Sequence, residues 1–316
     1  MTIAQKDPSV WMLVALAQSL LWAFGVPLLC RSNWDSMFGS YSNETAELIL
    51  MMTPAVFFII YCIIMLPIYW MQIPFFEQFK ILRDKPWPWI DEKEEVRVAF
   101  WNLTRRSLKL ASTNLFVILP IMAIVKIHTL AKLGFSGPSF ETDEESWPTP
   151  QKALQDIVLL SLIHEFGFYS THRLMHSYPA LYKYHKIHHE YKTNTALAAQ
   201  HNHFLDFILS IGFPGLLALS IINCHSVTQF QWTLWTMYAN MDDHVGYQFP
   251  WSPVRWFPFA ALTDEHEFHH AKNLGCFGSK LSVFNSLFGG YEHYMPWAEK
   301  RKQLRLKSVE KQSHFN

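Results

Sequence analysis

Residues 153–189 read ALQDIVLLSLIHEFGFYSTHRLMHSYPALYKYHKIHH, an apolar stretch that runs straight into His172, His176, His185, His188 and His189. The five form an H-x-x-x-H followed by an H-x-x-H-H, and a second H-x-x-H-H stands at His266, His269 and His270. With histidine at about 5% of the chain, one H-x-x-H-H arises by chance in roughly one chain in 25, and two in roughly one in a thousand. On a helix, positions i, i+3 and i+4 share a face, so each cluster presents two or three imidazoles in one direction. Eight imidazoles exceed what one ion takes, which predicts two metals. Nitrogen donors without cysteine suit iron, zinc or copper better than magnesium or calcium.

Working outward, the composition agrees with a membrane setting. Half of the 316 residues are hydrophobic and only 16% are charged, against roughly a quarter in a soluble domain. Lys plus Arg (26) balances Asp plus Glu (26), so no bulk field draws in a polyanion, and a nucleic-acid partner is excluded. The cysteines, Cys30, Cys62, Cys224 and Cys276, form no C-x-x-C pair and read as reduced packing residues.

A helix needs about 20 apolar residues to span the hydrocarbon core. Stretches 10–30, 48–76 and 108–130 qualify, the second interrupted by Pro54, Pro67 and Pro74, the third carrying Pro120 and Lys126. The second is expected to kink or to end near Pro67. The first is long for a signal peptide and lacks a small-residue cleavage site. A fourth, weaker span is 153–169. The shorter stretches 204–222 and 227–239 predict a hairpin that enters the membrane and returns, bringing the third cluster back to the first two.

Segment 78–106 carries Lys80, Arg83, Lys85, Lys93, Arg97, Arg105 and Arg106, whereas the charge in 140–145 is acidic only. The positive-inside rule makes the former cytosolic and places 31–46 and 134–152 in the lumen. The basic tail, with Lys300, Arg301, Lys302, Arg305 and Lys307, agrees. The Asn43 sequon lies too near the membrane to be expected in use. The fold expected is all-α, a multi-pass membrane bundle with a cytosolic-face di-metal site. Its parts are a transmembrane region with a cytosolic loop (1–152), a histidine-box domain (153–295) and a basic tail (296–316).

His203 and His244 are further candidate ligands, and His201 a more ambiguous one; His128, His164, His225, His293 and His314 stand apart from the clusters. Metal-bound imidazoles usually pass their other N–H to a carboxylate or carbonyl, a role suited to Glu165 and Asp206. Asp242, Asp243, Asp264, Glu265 and Glu267 read as solvated surface charges. Two metals under apolar helices suggest oxidation of a lipid, since attack on an unactivated C–H bond needs a dry pocket. The chain holds no dinucleotide fingerprint, so electrons come from a separate donor. A polytopic zinc-binding or zinc-transport protein is the alternative from another class. It would need ligands along a conduit inside the bilayer, whereas the clusters sit at span ends.

His172-Arg-Leu-Met-His176, Leu181-Tyr-Lys-Tyr-His185-Lys-Ile-His188-His189-Glu190, His244-Val-Gly-Tyr247 and His266-Glu-Phe-His269-His270 together resemble the fatty acid hydroxylase/sterol desaturase superfamily, nearest its C-4 methylsterol monooxygenase-like branch. The resemblance covers roughly 156–290. It implies an endoplasmic-reticulum enzyme with a di-iron centre that uses O2 and electrons from NAD(P)H, commonly through cytochrome b5. The substrate implied is a sterol, or a fatty acyl lipid or sphingolipid hydroxylated or desaturated by other members. The eight box histidines match the family's ligands, His203 falls at a Tyr-Ala-His-Pro position and His244 at a His-x-Gly-Tyr position. Glu165 matches an acidic position ahead of the first box. Here the former motif reads His201-Asn-His203-Phe204, and a late Trp-Asp and Phe-Gly-Thr appear as Phe284-Asn285 and Phe288-Gly289-Gly290, departures that lie toward the substrate side.

Overall fold

A computed structural model describes residues 8–134, 137–143, 145–256 and 259–313; His314 falls outside them. Among the described residues four helices are long and apolar enough to cross a membrane: α1 (Ser9–Phe38), α2 (Asn43–Met71), α3 (Glu94–Thr129) and, further along, Phe204–Ile221. Between the last two come α4 (Pro150–Ser177) and the short α5 (Pro179–His185). Naming Phe204–Ile221 α6, the chain continues through α7 (Ser226–His244), α8 (Thr263–Lys272), α9 (Val283–Leu287) and α10 (Tyr294–Ser313). Among the described residues there is no strand, only isolated bridges at Lys80–Tyr247 and Ala260–Leu281.

Prolines shape these helices without ending them. A proline lacks the N–H that would bond the carbonyl four residues back, and its ring clashes with that carbonyl. In α1, α3 and α6 the chain answers with one wide π-turn, at Leu21–Gly25, Asn114–Ile118 and Phe207–Gly212. Each turn contains the residue four positions before Pro27, Pro120 or Pro214. At Pro54 the freed Leu50 carbonyl instead accepts from Thr53 Oγ1 at 2.7 Å. Helix α2 runs through Pro67 as well and stops at Gln72, in the left-handed region with φ 46°.

The helices run between two ends of a bundle. At one end Ser226 N donates to Ser139 O, Trp34 Nε1 to Ser226 Oγ, and His225 Nε2 to Glu141 O. At the other end the 72–93 segment pairs with the chain after His244, with Ile81 N donating to Gly246 O and Gln248 N to Phe79 O. Segments 31–46 and 134–152 therefore share one end, and 78–106 shares the other with the histidines, the grouping that the loop charges predicted.

The fourth expected span, α4, runs from the end that holds Ser139 to the histidine end; its inward face carries Asp156, His164, Glu165 and His172, all buried, which leaves it less apolar than the four helices named first. The opposite face of α4, Leu154, Val158, Leu162 and Phe166, is exposed. Helix α6 returns antiparallel along α4, with Ser210 against Met175 and Pro214 against Gly167. Helix α7 then climbs through the centre of the bundle, and its last residue is His244.

Candidate metal centre

Where α4, α5, α7 and α8 meet, nine buried or half-buried histidines form two groups. One holds His172, His176, His185, His189 and His269; the other holds His188, His244, His266 and His270. The structure thus splits both H-x-x-H-H motifs rather than aiming each in one direction. His185 and His189 serve the first group while His188 serves the second; His266 and His270 serve the second while His269 serves the first. For His266, His269 and His270, all on α8, the reason is angular: positions i and i+4 lie about 40° apart, whereas i+3 falls on the other flank of the same face; in the other motif His185 ends α5 while His188 and His189 stand in a 3-10 turn after it.

Within each group the ring nitrogens converge. In the second group the Nε2 atoms form a closed ring, His188 to His244 at 3.2 Å, His244 to His266 at 2.9 Å, His266 to His270 at 3.1 Å and His270 to His188 at 3.0 Å. In the first, His189 Nε2 stands 3.1 Å from His176 Nε2 and 3.0 Å from His185 Nε2. Imidazoles bound to one ion at about 2.1 Å and at right angles hold their nitrogens about 3.0 Å apart. The two groups adjoin through His189 and His270, whose ring centroids are 4.8 Å apart.

Backbone carbonyls behind three of the rings fix their tautomers. His172 Nδ1 donates to Phe277 O (2.8 Å), His269 Nδ1 to Gly275 O (2.7 Å) and His244 Nδ1 to Asn240 O (2.8 Å). A carbonyl can only accept, so the proton sits on Nδ1 and the Nε2 lone pair faces inward. His172 Nε2 and His269 Nε2 are buried and meet no donor. Inward lone pairs without donors fit a cation, and the donor set fits a pair of nitrogen-ligated metals. Burial first, and neighbouring imidazoles second, push His188, His189, His269 and His270 well below the usual histidine range and His266 down to about 3. At neutral pH these rings are uncharged, as ligation requires.

Asp206 stands directly behind a ring, accepting from His185 Nδ1 at 3.1 Å and from Ser210 Oγ at 2.7 Å. Glu165 sits one step further out. It accepts from Ser279 N (2.8 Å) and Lys280 N (3.2 Å), holding the loop whose carbonyls orient His172 and His269. His203 is brought into neither group. As the residue that caps the start of α6, its Nδ1 accepts from Leu205 N, and its ring packs on Tyr184. His201 also lies apart, linking Ser107 Oγ (2.8 Å) on α3 to Glu190 Oε2 (3.0 Å) beside the second box.

The acids expected at the surface are largely buried: Asp242, Asp243, Glu265 and Glu267. Arg255 explains the first two, donating to Asp242 Oδ2 at 2.5 Å and Asp243 Oδ1 at 2.8 Å, while Ser279 Oγ donates to Asp243 Oδ2. Glu267 accepts from Asn194 Nδ2, and Glu265 from Tyr291. Burial pushes both glutamates up to about 7. The signal that could have found the aspartates is Arg255 itself, a cation in a stretch otherwise rich in aromatics and proline.

Beside the centre, a cavity of about 130 Å³ opens between α2, α3, α4, α6 and α7. Its walls are mostly apolar, including Met51, Leu115, Phe168, Phe207 and Trp232. Asn240, Ser279 and Lys280 also line it, and these belong to the elements that orient His244, His172 and His269.

The fatty acid hydroxylase family profile matches residues 157–290, the span that carries every one of these histidines. Methylsterol monooxygenase 1 of Rattus norvegicus is 29% identical over 252 residues, 79% of each chain. Methylsterol monooxygenase erg25A of Aspergillus fumigatus is 31% identical over 218 residues, 68% of this chain and 67% of its own. Methylsterol monooxygenase 1 of Gallus gallus is 27% identical over 75% of each chain. No solved structure matches significantly. The chain belongs to the fatty acid hydroxylase family.

Proposed function

We propose that the protein is a membrane-bound oxygenase that oxidises a methylsterol, with two iron ions held by the two histidine groups. The observation that carries the metal assignment is the convergence of nine imidazoles, four of which, His172, His185, His244 and His269, are held from behind by backbone carbonyls or Asp206. The names of its relatives support the sterol. His172, His176, His185, His189 and His269 would hold one ion, and His188, His244, His266 and His270 the other. When bound, iron supplies activation of O2 for attack on a C–H bond.

The chain's own residues do the rest. Neutral imidazoles offer lone pairs without first losing protons. The apolar cavity, at about 130 Å³ large enough for one end of the hydrocarbon body, would receive the end that bears the reacting carbon and keep water from it. Asn240 and the 275–280 loop join that cavity to the ligands, so binding of the substrate and placement of the rings are mechanically linked. Among the described residues there is no strand and so no dinucleotide-binding sheet, and electrons reach the protein from NAD(P)H through a separate carrier such as cytochrome b5. The setting proposed is the endoplasmic reticulum, with the histidine end in the cytosol beside the basic 78–106 segment. The test is reconstitution of the iron-loaded protein with an electron donor chain and either 4-methylsterols or long-chain acyl lipids. Oxygen-dependent loss of the 4-methylsterol is expected. Turnover of acyl lipids alone would reassign the substrate.

A further inference from the structure

Three residues beyond His244 stands Tyr247, fully buried, whose hydroxyl donates to Glu77 Oε1 at 2.6 Å. The same carboxylate accepts from Trp87 Nε1, at 3.0 Å to Oε1 and 3.2 Å to Oε2. The Tyr247 and Trp87 ring centroids are 5.3 Å apart. Trp87 stacks on Trp89 at 4.9 Å and 16°. Trp89 in turn lines a notch of about 390 Å³ with Trp70 and Trp101, which are 70% and 43% exposed. A continuous line of oxidisable rings therefore runs from Tyr247, three residues past His244, to the surface, and its first two members share one proton acceptor.

Core packing calls for aromatic rings but not for this acceptor. A buried O–H and N–H need partners, and backbone carbonyls would serve; a carboxylate is a partner that can also take the proton. Lys80 sharpens the point. Its Nζ lies 4.3 Å over the Trp87 ring, where a cation disfavours positive charge on the indole. Trp87 can then be oxidised readily only if its Nε1 proton leaves at the same time, and Glu77 is placed to receive it.

We propose that Tyr247, Trp87 and Trp89, with Glu77 as proton acceptor, form a relay that discharges oxidising equivalents from the metal centre to the Trp70–Trp101 notch when no substrate is in place. The relay rests on the reading that the centre activates oxygen. Tyr247 gives one electron to the oxidised centre and its phenolic proton to Glu77. Trp87 then returns an electron to Tyr247, while Glu77 gives back the phenolic proton and takes the indole proton. Trp89 gives an electron to Trp87, which recovers its proton from Glu77. A thiol or ascorbate-class reductant in solution restores Trp89, losing one electron and releasing one proton to water. Every side chain ends as it began.

Pulse radiolysis of the purified full-length protein in detergent, with azide radical as oxidant, tests the relay without turnover. Azide radical oxidises indoles first, so the electron deficit enters at the exposed tryptophans and moves inward. Wild type should show decay of tryptophanyl absorbance matched by growth of tyrosyl absorbance. Tyr247→Phe and Glu77→Gln, which preserve shape, should lose that growth; Tyr41→Phe, an exposed position at the far end, should keep it. Growth unchanged in both relay variants overturns the proposal. In a second arm, iron-loaded protein is incubated in air without lipid and its peptides are mapped by mass spectrometry. Oxygen additions are expected on Trp70, Trp89 or Trp101 in wild type, and on the box histidines in Tyr247→Phe. A working relay in radiolysis with no oxidation in air would support the relay and contradict oxygen activation by the centre, so the two failures are distinguishable.

Discussion

His266 is buried among other imidazoles, and its pKa is held at about 3, far below the ordinary 6.5. The sign follows from proton counting. Between pH 6.5 and 3 the unfolded chain binds a proton that the folded ring refuses, so the stabilisation is complete above 6.5 and falls as the pH drops. Each such histidine costs about 1.4 kcal/mol per pH unit inside that window. Thermal unfolding in detergent should therefore show a clearly lower midpoint at pH 5.5 than at 7.5, with metal released in parallel; a flat profile would contradict neutral buried ligands. Asp206 offers a second test at this scale. Asp206→Asn leaves His185 without its carboxylate, and metal affinity should fall about 10- to 100-fold in a chelator competition, with the helices intact by circular dichroism. An unchanged affinity would show that Asp206 only fills space. Nine of the ten ligand positions expected from the sequence come together here, because imidazole spacing on a helix is a local property. His203 does not, since its ring is taken up in capping α6, a role that spacing alone leaves open. The buried acids escaped for a similar reason: their partner, Arg255, lies 12 or 13 residues away.

At the scale of elements, the close approach of α4 and α6 sets where the first box points. Gly167 allows it: a Cβ there would stand 3.2 Å from Pro214 Cβ and 3.4 Å from its Cα, which is backbone and cannot yield. Gly167→Leu should force the pair apart at a cost of about 1–3 kcal/mol, read as a lower unfolding midpoint, and should loosen metal binding because His172 rides one turn further on. Normal stability in that variant would mean that the two helices are not tightly coupled. Helix existence was plain in the hydropathy, but how proline is absorbed was not. The π-turns ahead of Pro27, Pro120 and Pro214 absorb those prolines within helices, and α2 runs on to Met71, past the Pro67 near which the sequence suggested a kink or an end. Conversely α4 fell short as an apolar span because its buried face is given to the site.

Across the whole molecule, chemistry is concentrated at one end and the bundle is pinned at the other. Lys126, a lone cation in an apolar stretch, is explained by Glu47 on α2; the two are paired and buried. Lys126→Ala should cost about 3–5 kcal/mol by stranding the carboxylate, whereas replacing both by apolar residues of similar size should be near neutral, as measured by unfolding in detergent. Equal losses in the single and double variants would rule out that reading. The central claim is that nine histidines make two metal sites, and metal counting tests it most directly. Full-length protein expressed in iron-supplemented cells and purified without chelator should hold two iron ions per chain by elemental analysis. His266→Ala, in the group of four, should lower that number while leaving the other group loaded. Wild-type protein with no more than one bound metal per chain, or with iron unchanged when His266 and His270 are both replaced, would contradict the account.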